Sequence, residues 1–189
     1  MEKDNKTLIM FVGKTHSGKT TFANEIKKEV ENVLILEADP IAVFMKEKFP
    51  ELRENDDREH TGIFKEISLK YKTFLLFLEF ALDLGKPIIL SNSNMWLKGR
   101  ELVFELCKKY NYKVVGVCFD FPEEVLFERA KISERSLNVL RTSKDFNDLI
   151  INQRTRMQVP DPSEFDIFFT IQNPGELEQI KKELETILK

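Results

Sequence analysis

Eight consecutive residues, Gly13-Lys14-Thr15-His16-Ser17-Gly18-Lys19-Thr20, set two glycines, a lysine and a hydroxyl at the spacing G-x-x-x-x-G-K-[ST]. Each type has a physical task. Glycines permit the backbone angles that turn successive N–H groups toward a single anion. Lys19 brings a positive charge to the outer phosphates of a nucleotide, and the Thr20 hydroxyl suits the shell of a hard cation. The stretch reads as a phosphate-binding P-loop. The expected ligands are ATP and Mg²⁺, cradled by Gly13 through Thr20 and by Thr21. His16 lies inside the loop, where it either caps the turn or touches a phosphate. No N-K-x-D tetrad is present, so guanine specificity is not expected.

Such a loop works only between a strand that fixes it and a helix that aims its positive dipole end at the phosphates. Residues 7–12 read as that strand and residues 20–30 as that helix, its start placed near Lys19. Further apolar runs of strand length fall at 33–37, 87–91, 113–119 and 166–171. They are apolar on both faces, as strands are when helices cover a parallel sheet. Alternation of these runs with helical segments, one of them at 41–48, predicts a three-layer α/β fold over a single domain, residues 1–189.

Three segments interrupt the alternation. Residues 51–60 form a charged loop, in which His60 is assigned nothing. Residues 61–84 read as a long helix, with Thr61 as N-cap and Gly85 just past its end. Its load of Phe74, Leu75, Phe77, Leu78, Phe80 and Leu82 predicts deep burial, the rival being an exposed apolar face for a partner. Residues 131–157 are rich in Arg and Lys and read as a mobile helical lid.

Composition narrows the function classes. A net charge of −3 argues against bulk attraction to nucleic acid or anionic membrane, though a local basic cleft stays open. The polar start leads into too short an apolar run for a signal peptide, and no run is long enough to cross a bilayer. Cys107 and Cys118 lack metal-site spacing and read as buried thiols in a reducing, cytoplasmic setting.

Beyond the P-loop, several stretches recur in order: Asp39 at the end of the second strand; residues 88–94, Ile-Ile-Leu-Ser-Asn-Ser-Asn; residues 119–124, Phe-Asp-Phe-Pro-Glu-Glu, leading to Arg129; and residues 159–166, Val-Pro-Asp-Pro-Ser-Glu-Phe-Asp. With them the chain resembles the P-loop kinases related to phage polynucleotide kinase and the zeta-toxin kinases. The resemblance covers most of the chain, and only the P-loop within it is highly specific. It implies a P-loop kinase-like fold, a five-stranded parallel sheet in the order 2-3-1-4-5 with a helical lid. It implies that Asp39 is the general base toward an acceptor hydroxyl and helps to place Mg²⁺ with Thr20. It also implies that lid arginines, here Arg135, Arg129 and Arg141, clamp the transferring phosphoryl group.

A simpler reading of Asp39-Pro40 is a helix cap with Pro40 at the first helical position. Two departures from the family pattern matter. Ala42 stands where polynucleotide kinases hold a nucleic-acid phosphate with arginine, which disfavours a polynucleotide acceptor. Asn92 stands where an acidic residue often helps to hold Mg²⁺, leaving at most a ligand for metal-bound water. The expected activity is transfer of the γ-phosphate of ATP to a hydroxyl on a small-molecule or nucleotide-like acceptor. The alternative is a nucleotide-binding regulatory protein or ATPase that has lost transfer chemistry.

Overall fold

The computed structural model describes residues 5–51, 68–135 and 143–189. Its centre is strand β1, Thr7–Gly13, buried at every position. Alternate side chains of β1 feed two separate cores. Ile9 and Phe11 join Phe22, Ile26, Val115, Val117, Ile150 and Leu184 on one face. Leu8, Met10 and Val12 join Phe74, Leu78, Leu82, Val103 and Val114 on the other. A period of two with both faces covered explains why the run is apolar throughout.

Around β1 lie β2 (Leu34–Leu36), β3 (Ile88–Leu90), β4 (Lys113–Phe119) and β5 (Ile167–Ile171). All paired neighbours are parallel, and the order is β2-β3-β1-β4-β5, as expected. The helices are α1 (Lys19–Glu29), α2 (Ala38–Lys48), α3 (Leu69–Asp83), α4 (Leu97–Lys109), α5 (Glu123–Lys131), α6 (Phe146–Arg156) and α7 (Leu177–Leu188). The result is the three-layer α/β fold of P-loop kinases. Among the described residues no helix is long and apolar enough to cross a membrane. Both cysteines are buried free thiols, and burial pushes Cys107 up to about 12 and Cys118 up to about 11.

Several expectations are corrected. Strand β2 is shorter than residues 33–37, and α2 begins at Ala38 rather than near Ile41. Glu37 is therefore the N-cap, and Asp39 and Pro40 lie inside the first turn of α2. The proposed cap at Thr61 lies outside the described residues. The described helix α3 starts after Ser68, whose side chain accepts from the Tyr71 N–H, so Ser68 is its cap. Gly85 does follow its end, in the left-handed region at φ +69°.

Burial of α3 is one-sided. Phe74, Leu78, Ala81 and Leu82 are buried, whereas Leu76, Phe77 and Phe80 are 67%, 54% and 67% exposed. Only one stripe of a helix can face a sheet, so apolar residues all round leave some outside.

The segment 131–157, expected to be a lid, is described only at its two ends. Residues 136–142, and with them Arg141, lie outside the described residues. The second half is no loose element: α6 buries Phe146, Ile150 and Gln153 against the body of the domain, with Ile150 in the β1 core. Spacings of four and three put those residues on one helical face.

Candidate active site

Strand β1 delivers the P-loop to the carboxyl end of the sheet. Gly13 closes the strand beside β4, where an added Cβ would stand 2.7 Å from the Phe119 carbonyl oxygen. Gly18 holds φ +93° immediately before α1, an angle that costs glycine little. The loop after β3 buckles onto the same end. Gly13 N–H donates to the Ser93 carbonyl at 3.0 Å, and Asn94 Nδ2 donates to the Phe11 carbonyl at 2.8 Å. Burying a large apolar side chain is worth about 1.5–3 kcal/mol, against about 0–1 kcal/mol for an exposed ion pair. The fully buried run Leu8–Val12 therefore positions the cradle, and the charged contacts at its rim orient it.

Lys19 is folded back onto the loop. Its Nζ donates to the carbonyls of Gly13 at 3.0 Å and Lys14 at 2.6 Å and to Ser17 Oγ at 2.9 Å. Burial, then the charge of Arg135, lowers its pKa to about 7, with Asp39 and Glu37 opposing. The Lys14 Nζ is paired with Glu123, which also holds Arg154 of α6. His16 takes φ +60° and bonds Thr15 Oγ1 through Nδ1 at 3.2 Å. Its ring meets Phe146 edge-on with centroids 4.6 Å apart. Burial, then Arg135 and Lys19, lowers its pKa and favours the neutral ring. Thr21 is exposed on the first turn of α1.

Two carboxylates, Glu37 and Asp39, lie beside the loop. Thr20 Oγ1 donates to Glu37 at 2.8 Å and lies 3.3 Å from Ser91 Oγ. Asp39 instead bonds Lys70 Nζ at 2.6 Å through Oδ1 and Arg135 through Oδ2. Burial pushes Asp39 up, but Lys70 first and Arg135 after it outweigh this and hold it below the usual carboxylate value. Three oxygen-bearing side chains, Thr20, Glu37 and Ser91, thus meet beside the loop. Such hard donors fit Mg²⁺, which keeps several waters and takes its remaining ligands from phosphates. Asn92 does not contribute as expected. Its Oδ1 accepts from the Ala38 N–H at 2.7 Å, and its buried Nδ2 has no partner among the described residues. The free end of this amide is a donor, which repels a cation.

Two arginines approach the loop. Arg135 reaches Thr15 Oγ1 at 3.4 Å as well as Asp39. Arg129 donates to the His16 carbonyl at 3.3 Å and stacks on Phe121 at 4.6 Å. Sequence reasoning gave no role to Glu37, Lys70, Glu123 or Gln153, which the tertiary fold brings to the loop and to Asp39. It also missed Arg100, only 1% exposed, which pairs with Glu164 at 2.7 Å and 3.0 Å. Arg100 further binds the carbonyls of Asn94 and Gln158, tying the loop after β3 to the approach to β5. Within residues 159–166, Asp161 caps the turn Pro162–Glu164 and Glu164 anchors Arg100.

With the fold and site in place, the family is clear. A family model described as an AAA domain matches residues 8–149, and the chain belongs to that family. No curated protein matches the sequence. Similar solved structures include a sugar kinase from Janibacter sp., at 20% identity and TM-score 0.62, covering 97% of this chain and 94% of that one. Kti12 of Chaetomium thermophilum, solved with ADP-AlF3, is 14% identical with TM-score 0.65, covering 96% of this chain and 99% of that one. Shikimate kinase of Bacteroides thetaiotaomicron is 16% identical with TM-score 0.59, covering 96% and 98%. At these identities the likeness is one of fold.

Proposed function

We propose that this protein is an ATP-dependent kinase that moves a γ-phosphate to a hydroxyl on a small-molecule or nucleotide-like acceptor. The observation that carries the reading is the meeting of the P-loop with a carboxylate, Asp39, and an arginine, Arg135, in one contact network. Storage of a nucleotide needs neither; phosphoryl transfer uses both. Solved relatives in fold that are named as sugar and shikimate kinases agree with it. The finer resemblance to polynucleotide-kinase-like and zeta-toxin-like kinases belongs to this reading, as does a cytoplasmic setting.

In this mechanism the loop N–H groups and Lys19 hold the triphosphate. Thr20, with Glu37 through water, would hold Mg²⁺, which supplies charge neutralisation on the phosphates. Arg135 leaves Asp39 for the outermost phosphate, since a multiply charged phosphate competes well for a guanidinium. That frees Asp39 Oδ2, and loss of one cation raises the basicity of the carboxylate. Asp39 then accepts the acceptor's hydroxyl proton as the acceptor's oxygen bonds the γ-phosphorus and the bond to the β-phosphate oxygen breaks. Lys70 stays on Oδ1 and fixes the carboxylate's direction. Arg129, on the far side of the loop near Gly18, steadies the bound nucleotide. Ala42, one turn along α2 from Asp39, offers no charge to an acceptor phosphate, so 5′-hydroxyl oligonucleotides are poor acceptors.

Arg135→Ala tests this division of labour. The account expects kcat to fall about a thousandfold while ATP affinity changes several-fold at most. A loss of less than about tenfold would remove Arg135 from the transition state.

A second reading, a nucleotide-binding regulatory protein without transfer, is favoured by the double ion pair that holds Asp39 and by the spent oxygen of Asn92. Under it, the Asp39–Arg135 contact persists when nucleotide binds.

A further inference from the structure

Helix α6 touches the P-loop in a way that neither phosphate chemistry nor core packing requires. Along its buried face run Phe146, Ile150 and Gln153. The first two are ordinary core residues. At the third position an amide is buried to 8% exposure, where an apolar side chain would be cheaper. Gln153 Oε1 accepts from the backbone N–H of Thr15 at 2.8 Å. A buried amide is thus spent on one N–H of the loop whose N–H groups serve phosphate.

Thr15 is the junction of the loop's first half. It is 7% exposed, and its hydroxyl meets Arg135 Nη1 at 3.4 Å and His16 Nδ1 at 3.2 Å. The next residue, His16, holds a left-handed φ of +60°, a conformation that costs a residue with a Cβ and must be held by its surroundings. Helix α6 supplies that hold on both sides of the strained peptide, with Gln153 on the Thr15 N–H and Phe146 against the His16 ring. The same half-loop carries the Gly13 and Lys14 carbonyls that place the Lys19 ammonium. Its geometry therefore bears on Lys19 and Arg135, the two cations that the proposed function assigns to the outermost phosphate.

We propose that Gln153 is a positioning residue of the nucleotide site, preorganising the first half of the P-loop through Thr15 so that the site favours a triphosphate over a diphosphate. This rests on the reading of Gly13 to Thr20 as a nucleotide site. On this proposal the Gln153–Thr15 bond persists when nucleotide is bound, the Thr15 N–H staying with α6 while other N–H groups of the loop take the phosphates. Removing the acceptor leaves a buried N–H unpaired and lets the His16 turn relax. The cost falls on contacts to the third phosphate.

The test is calorimetry of Mg²⁺·ATP and Mg²⁺·ADP on the full chain, wild type against Gln153→Met, an unbranched side chain of similar length without the acceptor. Gln153→Leu serves as a second variant, and circular dichroism reports folding for both. The expected result is an ATP affinity lowered about tenfold with ADP affinity changed less than about threefold, in a folded protein. Equal losses for both nucleotides, no loss for either, or a gain for ATP would each overturn the proposal. The gain would mean that Gln153 competes with the nucleotide for Thr15. If the wild-type protein binds neither nucleotide, the reading of the loop as a nucleotide site fails first, and the inference with it.

Discussion

Lys19→Ala is expected to leave the sheet intact, abolish turnover and weaken triphosphate binding more than any other single change in the loop. The buried ammonium sits on the loop, and its three partners, two carbonyls and a serine hydroxyl, are all on the loop itself. The protein keeps this cation at a cost, since burial lowers its pKa to about 7. A group whose folded pKa lies below its unfolded value is partly neutral above that pH, and an arriving anion restores the proton. Nucleotide binding at pH 8 should thus take up as much as about one proton in the wild type and none through this site in Lys19→Ala. Calorimetry in buffers of different ionisation enthalpy measures both, with circular dichroism as the folding control. A folded Lys19→Ala that binds ATP and turns it over like the wild type would remove the P-loop assignment. Equal proton uptake in the two proteins would place the titrating group elsewhere.

Asp39→Asn carries the second large effect. The substitution keeps size and hydrogen-bonding capacity while removing the charge and the basicity. Because Asp39 sits inside the first turn of α2 and Glu37 occupies the cap position, little helix stability is at stake. The variant should bind Mg²⁺·ATP within a few-fold of the wild type and transfer phosphate at least about a hundredfold more slowly. Loss of the ion pairs to Lys70 and Arg135 also frees Arg135 in the resting protein, so ATP affinity should not fall and can rise slightly. Transfer at the wild-type rate would show that Asp39 is no base and would move the weight to the regulatory reading.

Much of the frame was legible in the residues, and the reasons are local. Strand β4 matches the apolar run 113–119, because the run is bounded by charge and turn residues at both ends. The P-loop matches because its spacing is the chemistry. Strand order was legible only through resemblance, since periodicity says nothing about which strands are neighbours. Around Asp39 the local signal misled: Asp-Pro reads as a cap, yet the N–H of Ala38 is satisfied by Asn92, fifty-four residues away. That long-range bond lets α2 begin early, carries Glu37 to Thr20 and leaves Asp39 to Lys70. Gln153 and Arg100 were illegible for the same reason. A glutamine or arginine in a helical run reads as surface, and only the folded chain brings it to Thr15 or Glu164.

The central claim is that the loop, Arg135 and Asp39 together transfer a phosphate, and the fate of the terminal phosphate tests it most directly. With γ-labelled ATP, Mg²⁺ and panels of sugars, nucleosides, nucleotides, hydroxy acids and 5′-hydroxyl oligonucleotides, label should move from ATP to a hydroxyl compound of the small-molecule or nucleotide-like panels. Release as inorganic phosphate without an acceptor should be slow by comparison. Label that appears solely as inorganic phosphate, or that stays on ATP in every panel, would contradict the account.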